Sequence, residues 1–305
     1  MLNWGLIGGG AIAYVFCNSM RFSSTGRILA VASCTQSKAD TLAADFDISR
    51  KYTNYEDLLT DEEIDAVYIS TINPLHAEWA IKSAEAKKHI LVEKPIGMNY
   101  AEAEAMVKAA RENDVFLMEA FMYRCHPQIK RMVELIQDGV IGEIHLIQAT
   151  FGIQAKFDPN ARIYSHERGG GAILDLGCYT ASMARLIAGA PEQKRFLEPV
   201  LTKGSGKVGP TGVDHIGVAA VQFENAIIAE LIAAFEGNIG QTVSIFGSNG
   251  IMTIQDPWLP STPCRWVTQP LPLDATFPPS KIRVQSHQAS EVSEIMVEAD
   301  RDLFT

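Results

Sequence analysis

The sequence predicts an α/β domain followed by an α+β domain with a mainly antiparallel, open-faced β-sheet. Up to about residue 122, short β-branched runs alternate with helical periods, which is typical of βαβ units and a parallel sheet. Beyond residue 138 the apolar residues recur with period two, which indicates antiparallel strands. The length of 305 residues fits two domains of about 100–200 residues each, which we place at 1–122 and 123–305.

The first domain contains five strand-like runs separated by four helical segments. The strands are predicted at Asn3–Ile7, Ile28–Ser33, Ala66–Ser70, His89–Glu93 and Val115–Ala120. The helices are predicted at Ile12–Met20, Gln36–Phe46, Pro74–Ala86 and Tyr100–Glu112. Asn73 and Asn99 precede the last two helices, and asparagine is favoured at the N-cap position.

The second domain begins with a predicted helix at Pro127–Gln137 and contains another at about Leu174–Leu186. Antiparallel strands are predicted at Ile144–Phe151, Gly217–Phe223, Ile227–Phe235, Thr242–Phe246 and Ile251–Ile254. Ser248-Asn249-Gly250 is a hairpin turn signal. Seven of the fourteen prolines lie between residues 257 and 279. This stretch is therefore predicted to be loop and edge strand, since proline cannot donate a ladder hydrogen bond.

The composition excludes several classes of function. Lys plus Arg number 26 against 36 Asp plus Glu, a net charge of −10, and no basic run is present to neutralise a row of phosphates, which disfavours nucleic-acid binding. Five scattered cysteines without a C-x-x-C pair indicate a reducing compartment and no structural zinc. No targeting segment and no apolar run of about 18 residues are seen. We expect a cytoplasmic protein without a metal or a membrane partner.

A glycine turn separates the first predicted strand from the first predicted helix. Residues 8–13 read G-G-G-A-I-A and fit the pattern G-x-G-x-x-A, in which glycines allow a tight turn and close approach of a pyrophosphate. Helix N-terminal N–H groups then hold the phosphates. The alternative is a glycine-rich turn without a ligand. The context predicts a Rossmann dinucleotide-binding domain, with Gly8, Gly10, Ala11 and Ile12 at the cofactor.

The end of the second strand bears on the choice of cofactor. A carboxylate there accepts from the ribose 2′-hydroxyl of NAD and repels the 2′-phosphate of NADP. Residues 32–38 read A-S-C-T-Q-S-K, without an acid. Ser33, Thr35, Ser37 and Lys38 can surround a phosphate, which favours NADP over NAD. The alternative is that these residues only cap the next helix.

Three further motifs accompany the glycine turn. They are T-I-N-P-L-H at 71–76, E-K-P at 93–95 and G-G-G-A-I-L-D-L-G-C-Y at 169–179. Together with the glycine turn they resemble the Gfo/Idh/MocA family of oxidoreductases, and the resemblance covers most of the chain. It implies a Rossmann domain, a second domain with an open antiparallel sheet, and a nicotinamide cofactor in the cleft between them.

The resemblance also implies which residues carry the chemistry. The family's catalytic positions correspond here to Lys94, Asp175 and Tyr179. Tyrosine at the last position, with M-E-A-F-M-Y-R at 118–124, is similar to the subgroup of NADP-dependent xylose and dimeric dihydrodiol dehydrogenases. Further cofactor-binding residues implied by the motifs are Thr71, Asn73, His76 and Glu93, beside Lys94 itself.

Two features depart from that subgroup. Cys34 stands where the subgroup usually has an arginine, which argues against NADP. The chain also stops at Thr305, where relatives continue into another helix, so we expect an incomplete C-terminus.

The residue types at Lys94, Asp175 and Tyr179 suit a proton transfer that accompanies a hydride transfer. A free tyrosine has a pKa of ~10, too high for a base at neutral pH unless a cation stabilises the phenolate. Lys94 is the candidate cation. Asp175 and Tyr179 are four residues apart and share a helix face. Taken singly, Lys94 can be a surface lysine, Asp175 an N-cap and Tyr179 a core residue.

These observations predict an NAD(P)-dependent oxidoreductase that acts on a sugar, a cyclic polyol or a trans-dihydrodiol. Candidate substrate-binding residues are Tyr123, Phe151, Arg162 and Tyr164, although the arginine can instead pair with a surface acid. A redox-silent regulator or sugar sensor on the same fold is the alternative function, because fold does not fix function.

We also expect a homodimer or a higher homo-oligomer. Apolar residues alternate along the strands of the second domain and supply more apolar surface than one layer of helices covers. Examples are Val218, Ala220, Ile228 and Leu231.

Overall fold

The computed structural model describes residues 1–261, 269–272, 276–288 and 292–299. The chain forms two compact units. The first contains Met1–Met122 and the described residues between 269 and 277, and the second contains Tyr123–Ser261 and the described residues between 278 and 299. The first unit has a parallel sheet and the second a mainly antiparallel sheet, so the predicted fold class is confirmed.

The first unit is built on a six-stranded sheet with the order β3-β2-β1-β4-β5-β6, and all neighbouring strands are parallel. The strands are β1 Leu2–Ile7, β2 Gly26–Ala32, β3 Arg50–Tyr52, β4 Ala66–Ile69, β5 His89–Val92 and β6 Leu117–Glu119. Of these six strands, the sequence analysis missed only β3. Its three residues, R-K-Y, include two cations and give no apolar signal.

Helices cover both faces of this sheet. They are α1 Ala11–Met20, α2 Gln36–Phe46, α3 Tyr55–Leu59, α4 His76–Glu85 and α5 Tyr100–Glu112. One apolar layer includes Leu6, Phe16 and Leu42, and the other includes Trp79 and Met106. Because both faces are buried, the strands can be apolar throughout, as is usual for parallel sheets.

Only one of the two predicted asparagine caps is observed. Asn99 Oδ1 accepts the Glu102 N–H at 3.0 Å and begins α5. The prediction for Asn73 is wrong. A 3₁₀ turn, Asn73–Leu75, precedes α4, so Asn73 lies buried inside this turn and Ile72 takes the position before it.

The second unit contains an eight-stranded sheet with the order β14-β13-β12-β11-β7-β10-β9-β8. The strands are β7 Ile144–Gly152, β8 Pro199–Val208, β9 Asp214–Phe223, β10 Ile228–Ala234, β11 Gln241–Gly247, β12 Gly250–Gln255, β13 Ser280–Ser286 and β14 Val292–Val297. All pairs are antiparallel except β7 and β10, which are parallel. The prediction of a mainly antiparallel sheet is therefore confirmed, and the one parallel pair joins strands that α7 and the β8–β9 hairpin separate along the chain.

Two helices belong to this sheet, α6 Pro127–Gln137 and α7 Cys178–Gly189. The sequence analysis predicted one regular helix over Leu174–Leu186. Instead, a π-helical turn, Ile173–Gly177, leads directly into α7. The wider π turn changes the direction of its side chains relative to a regular helix, and such turns are frequent at functional sites.

The two faces of the second sheet differ in exposure. Ala219, Val221 and Ala229 belong to the face whose side chains are mostly buried, whereas Val218 and Ile228 on the opposite face are 39% and 47% exposed. Leu231 pairs with Ala219, so it lies on the largely buried face. Its assignment to the open face is wrong, because it is an odd number of residues from Ile228 and successive side chains alternate.

The chain returns to the first unit after residue 261, which the sequence analysis did not anticipate. The side chain of Asn18, on α1, donates to Gln269 O at 2.9 Å and accepts the Leu271 N–H at 2.7 Å. Phe277 also meets the ring of Phe22 edge-on, at 6.2 Å between centroids. Asn18 is only 2% exposed, and its buried amide joins α1 to the segment that contains Gln269 and Leu271.

The described parts of the proline-rich stretch 257–279 contain no helix or strand, as predicted for loop. Among the described residues, no helix has the length and apolar character that crossing a bilayer requires.

His126 begins α6 and is buried. Its Nδ1 accepts the Gln128 N–H at 3.1 Å, and its Nε2 lies 3.2 Å from Ser261 Oγ. Burial lowers the pKa of His126 from 6.5 to about 4. The folded protein therefore holds a neutral ring at pH values where the unfolded chain is protonated.

We expect this histidine to make stability depend on pH. As the pH falls from about 6.5 to about 4, only the unfolded chain takes up the proton, and up to about 3 kcal/mol of stability is lost. Urea unfolding of wild type and His126→Asn at pH 7.5 and pH 5 measures this, since asparagine can still cap α6. Equal pH dependence in both proteins would refute the expectation.

Candidate active site

The glycine turn after β1 leaves open space in front of α1. Gly8 has φ +110°, and a Cβ there would lie 2.9 Å from Ser70 O, so only glycine fits. Gly10 has an ordinary φ of −85°, yet a Cβ placed on it would find no atom within 4 Å. Gly8 is therefore needed for the fold, whereas Gly10 leaves space for a ligand.

The N-terminus of α1 is suited to an anion. Gly10 occupies the N-cap position, and the first turn carries no acidic residue. Ala13 is fully buried, which lets helix and strand pack closely. The Thr71 hydroxyl, in the loop after β4, is buried without a hydrogen-bond partner among the described residues. An open cradle at a helix N-terminus with a nearby unsatisfied hydroxyl fits a dinucleotide.

The residues after β2 lie beside the glycine turn. A Cβ on Gly9 would lie 3.3 Å from Lys38 Cβ and 3.4 Å from Ser33 Oγ. Ser33 Oγ accepts the Thr35 N–H at 3.2 Å. Thr35 is the N-cap residue of α2, but its side chain makes no capping hydrogen bond. A capping hydrogen bond therefore does not account for Thr35. The predicted residues Thr35, Ser37 and Lys38 and the neighbouring Cys34 are all exposed.

The ladder of the sheet brings the loops after β1, β4 and β5 to one edge. Ser70 N–H donates to Ile7 O and Glu93 N–H donates to Ile69 O, both at 2.9 Å. These bonds continue the parallel pairing one residue beyond the strands. The glycine turn, Thr71 and Lys94 therefore lie along the carboxyl edge of adjacent strands, where ligands bind in open α/β sheets.

A buried carboxylate fixes the backbone at Lys94. Glu93 is 7% exposed, and its Oε1 accepts the Tyr68 hydroxyl at 2.5 Å. Its Oε2 accepts the Lys94 N–H at 3.2 Å. The Lys94–Pro95 peptide bond is cis, and Glu119 Oε1 accepts the N–H of Ile96 at 2.8 Å. Two carboxylates therefore hold the segment that carries the half-buried Lys94.

His76 ties this segment to the loop after β4. It is fully buried, with Nδ1 2.8 Å from Pro95 O and Nε2 3.3 Å from Thr71 O. Both neighbours are carbonyl oxygens, so the ring nitrogen that carries the hydrogen donates to one of them and the ring lies between the two loops. The predicted cofactor residues Thr71, Asn73, His76, Glu93 and Lys94 thus lie in two neighbouring segments, the one from the end of β4 to the start of α4 and the one after β5.

In the second unit, Arg162 and Asp175 form an ion pair. Arg162 Nη2 lies 2.9 Å from Asp175 Oδ1, and the Asp175 side chain is only 12% exposed. Arg162 begins a 3₁₀ turn, Arg162–Tyr164. Gly171 connects the partners, since its N–H donates to Ile163 O at 2.9 Å and its carbonyl accepts the Asp175 N–H at 3.1 Å. The arginine therefore has an acidic partner, and that partner is a predicted catalytic residue.

Tyr179 lies in the first turn of α7 among aromatic rings. The ring centroids of Tyr123, Phe151 and Trp258 are 5.8, 5.3 and 5.8 Å from that of Tyr179. Tyr123 is fully buried, and its hydroxyl donates to Ser182 Oγ at 2.8 Å. Trp258 is also fully buried and donates to Thr150 O at 3.1 Å. Close packing in this cluster fixes the orientation of the Tyr179 ring.

Tyr164 lies apart from this cluster. Its ring packs against His215 and Phe235, with centroids at 4.9 and 5.7 Å, and its hydroxyl donates to Ala155 O at 3.1 Å. Burial, assisted by the charge of Glu236, raises the pKa of Tyr164. Its phenol therefore stays protonated at neutral pH.

Sequence reasoning missed two contributors to these sites. Trp258 lies in the proline-rich stretch assigned to loop, and only its large aromatic side chain could have drawn attention to it. Glu119 belongs to the quoted segment 118–124, but no local pattern shows that it reaches Ile96. Among the described residues, no group of three His, Cys, Asp or Glu side chains is placed to hold a metal ion.

Comparison with known proteins agrees with the geometry. The profile "Oxidoreductase family, NAD-binding Rossmann fold" matches residues 2–121, and the profile "GFO/IDH/MocA C-terminal domain" matches residues 129–253. A 3-ketoreductase from Actinomadura kijaniata, solved with NADP and TDP-benzene, is 27% identical, with a TM-score of 0.83 over 99% of this chain and 86% of that chain. The first unit is therefore an NAD(P)-binding domain, as the glycine turn predicted.

Two curated relatives cover most of the chain. Trans-1,2-dihydrobenzene-1,2-diol dehydrogenase of Mus musculus is 31% identical over 262 residues, which are 85% of this chain and 76% of the relative. An uncharacterized oxidoreductase of Rhizobium meliloti is 32% identical over 266 residues, 86% of this chain and 76% of the relative.

Two glycine variants test the cofactor site. We expect Gly10→Val to fold like wild type, with a Tm within about 2 °C, because its Cβ meets no atom. It should weaken NADPH binding at least about tenfold, because the side chain fills the phosphate space. Gly8→Ala is the matched control and should lose about 1–2 kcal/mol of stability, since alanine is strained at positive φ. Fluorescence titration and thermal unfolding measure both, and unchanged NADPH affinity in Gly10→Val would contradict the assignment.

Proposed function

Because the chain belongs to the Gfo/Idh/MocA family of oxidoreductases, as its motifs predicted, we propose that it is an NAD(P)-dependent dehydrogenase or reductase. It transfers a hydride to or from a hydroxyl-bearing or carbonyl carbon of a sugar, a cyclic polyol or a trans-dihydrodiol. The name of the mouse relative and the NADP complex of the Actinomadura reductase support this substrate class and cofactor.

The observation that carries the proposal is the pair Asp175 and Tyr179 in the second unit. Asp175 is almost buried and lies 2.9 Å from Arg162 Nη2. Tyr179 is 4% exposed and is oriented by three aromatic neighbours. An acid and a phenol four residues apart suit proton transfer at a substrate oxygen, and a protein that only binds a cofactor has no need for this pair.

Each residue has a proposed role in proton transfer. A bound nicotinamide cofactor supplies or accepts the hydride. The Tyr179 hydroxyl gives a proton to the substrate oxygen during reduction and takes it back during oxidation. Lys94 supplies the positive charge that stabilises the phenolate. The Asp175 carboxylate orients the lysine or a substrate hydroxyl.

Arg162 is the proposed substrate-binding residue with the clearest support. Its Nη2 is paired with Asp175, but its Nη1 is buried without a hydrogen-bond partner among the described residues. A substrate hydroxyl or carbonyl oxygen would satisfy it. Tyr123 and Phe151 contact the substrate in this proposal, and their packing on Tyr179 also orients that ring. Tyr164 acts through its ring, since its hydroxyl already donates to Ala155 O.

We propose a preference for NADP over NAD. The segment Ser33–Lys38 carries no acid, its Thr35, Ser37 and Lys38 are exposed, and Thr35 makes no side-chain capping hydrogen bond. Cys34 is exposed and stands where the subgroup has an arginine. Lys38 is therefore the residue that supplies the positive charge for the 2′-phosphate. In the titration described above, NADH should bind wild type more weakly than NADPH.

We propose a cytoplasmic location. None of Cys17, Cys34, Cys125 and Cys178 forms a disulfide, which fits a reducing compartment.

The catalytic roles are tested by two variants. We expect Tyr179→Phe to keep the fold and NADPH binding and to lower kcat by roughly 10²–10⁴, the usual effect of losing a general acid or base. Lys94→Met should lower kcat at least as much, since it removes the charge that makes the phenolate accessible. Reduction of NADP⁺ is followed by absorbance with a panel of aldoses, inositols and trans-dihydrodiols.

The pH profile of the same assay provides the control. The rate of oxidation by wild type should rise with a pKa below the ~10 of free tyrosine, and this limb should be absent from Tyr179→Phe. If Tyr179→Phe retains kcat within about threefold while Lys94→Met is inactive, Lys94 is the proton donor and the assignment is wrong. Binding of NADPH with no turnover of any substrate would instead favour a redox-silent sensor.

We further propose that the open sheet face of the second unit pairs with the same face of a second copy. Val218, Ala220 and Ile228 lie on this face and are exposed, and the edge strand β8 is exposed along its whole length. Apolar patches of this kind usually mark an interface, and a two-fold interface uses one patch twice.

Light scattering at micromolar concentration should therefore give the mass of a dimer or a higher homo-oligomer. Val218→Lys with Ile228→Lys should shift the protein towards the monomer, because like charges then meet across the interface. Phe116→Lys, at an exposed apolar position of the first unit, serves as the control. A wild-type monomer would refute the proposal.

A further inference from the structure

The segment that carries Asp175 and Tyr179 begins without a cap of its own. Ala172 stands at the N-cap position of the π-helical turn and offers no side-chain acceptor. The first N–H groups of a helix have no partner within the helix and need an acceptor from elsewhere. Here the Ile173 N–H donates to Asp214 Oδ2 at 2.7 Å, across a sequence separation of 41 residues. The cap is therefore supplied by the second sheet.

Asp214 is held firmly in that sheet. It is the first residue of β9 and pairs with Val208 of β8. The adjacent His215 is 2% exposed, its Nδ1 lies 2.7 Å from Glu236 Oε1, and its carbonyl accepts the Phe235 N–H at 2.8 Å. The carboxylate that caps the π-helical turn thus projects from a strand that is paired with β8 and hydrogen-bonded to Phe235.

The second oxygen of Asp214 lies against the glycine before the turn. A Cβ on Gly171 would be 2.4 Å from Asp214 Oδ1, and Gly171 has φ +116°. Any side chain at Gly171 would therefore displace the cap. The carbonyl of Gly171 accepts the Asp175 N–H at 3.1 Å. Asp214 thus bonds the first residue of the turn, Ile173, and lies close to Gly171, whose carbonyl accepts the Asp175 N–H.

The charge of Asp214 adds to the hydrogen bond. A negative group is favourable at a helix N-terminus because it meets the positive end of the helix dipole. Charge-assisted hydrogen bonds to backbone N–H groups are also shorter and stronger than neutral ones. The 2.7 Å separation fits this description.

We propose that Asp214 is a positioning residue for the reaction: it anchors the start of the π-helical turn and so sets the position of the Asp175 carboxylate and the Tyr179 hydroxyl. This inference rests on the proposed function of that pair. A displacement of about 1 Å at reacting groups can lower a rate by about 10². A lost anchor at this turn should therefore affect turnover more than binding.

Two Asp214 variants and one matched control test the proposal. Asp214→Ala should lower kcat by about tenfold or more while NADPH affinity and substrate KM change less than about threefold. Asp214→Asn keeps a side-chain oxygen that can accept the Ile173 N–H, so it should recover most of kcat. The control is Asp65→Ala, which removes a carboxylate that accepts the Asn3 N–H at 2.8 Å across 62 residues. It should lower the Tm without lowering kcat.

Hydrogen exchange provides a readout that does not require turnover. In Asp214→Ala, peptides covering residues 171–179 should exchange faster than in wild type, and the asparagine variant should restore protection. Unchanged exchange in this segment would overturn the proposal, and so would faster exchange with unchanged kcat. If wild type turns over no substrate of the panel, the proposed function fails, and exchange alone then decides whether Asp214 anchors the turn.

Discussion

The parallel hydrogen-bond ladder of the first sheet determines where the chemistry of the first unit can occur. Its last bonds join Gly8 to Ala32, Ser70 to Ile7 and Glu93 to Ile69. Because parallel strands must end at a common edge to share this ladder, three loops far apart in sequence leave the sheet side by side. The predicted cofactor residues of the unit lie in these loops, in the neighbouring one after β2, or in the first turns of the helices that follow. His76, whose ring lies between two of these loops, is fully buried.

In the second unit, too, the sheet topology determines where the candidate catalytic residues lie. Strands β7 and β10 are parallel neighbours, so the chain between them must cross over the sheet. That crossover contains the Arg162 turn, the glycine run and the helix that carries Asp175 and Tyr179. Packing this connection on the sheet buries the tyrosine among Tyr123, Phe151 and Trp258. The topology therefore places Asp175, its partner Arg162 and Tyr179 on one connection.

The sequence predicted those features that depend on local patterns. Helices α2, α5 and α6 have the predicted bounds because amphipathic periodicity and capping residues are local signals. The glycine turn was also predicted, since its function requires a particular strand–turn–helix order. Strand β8 was missed because its sequence, P-V-L-T-K-G-S-G-K-V, is exposed throughout and has no buried face to impose alternation.

The features that were not predicted depend on contacts between distant residues. No local signal distinguishes a π-helical turn at 173–177 from a regular helix, whereas the Ile173 N–H is accepted by Asp214, 41 residues away. The return of the chain to α1 involves Asn18, whose two backbone partners, Gln269 and Leu271, lie 251 and 253 residues further along the chain. Leu231 was misplaced by a register error of one residue, which moves a side chain to the opposite face. Candidate site residues were thus easier to predict than the groups that hold them in place.

The amide bridge at Asn18 has a consequence for biosynthesis. The first unit contains the N-terminus, yet its Asn18 is completed by backbone groups 251 and 253 residues later. Domains usually fold in the order in which the ribosome releases them. Here the first unit emerges first, but the side chain of Asn18, on the helix that follows the glycine turn, lacks its backbone partners until residues 269 and 271 have been made. A nascent chain that has not reached these residues therefore carries an unfinished nucleotide-binding unit.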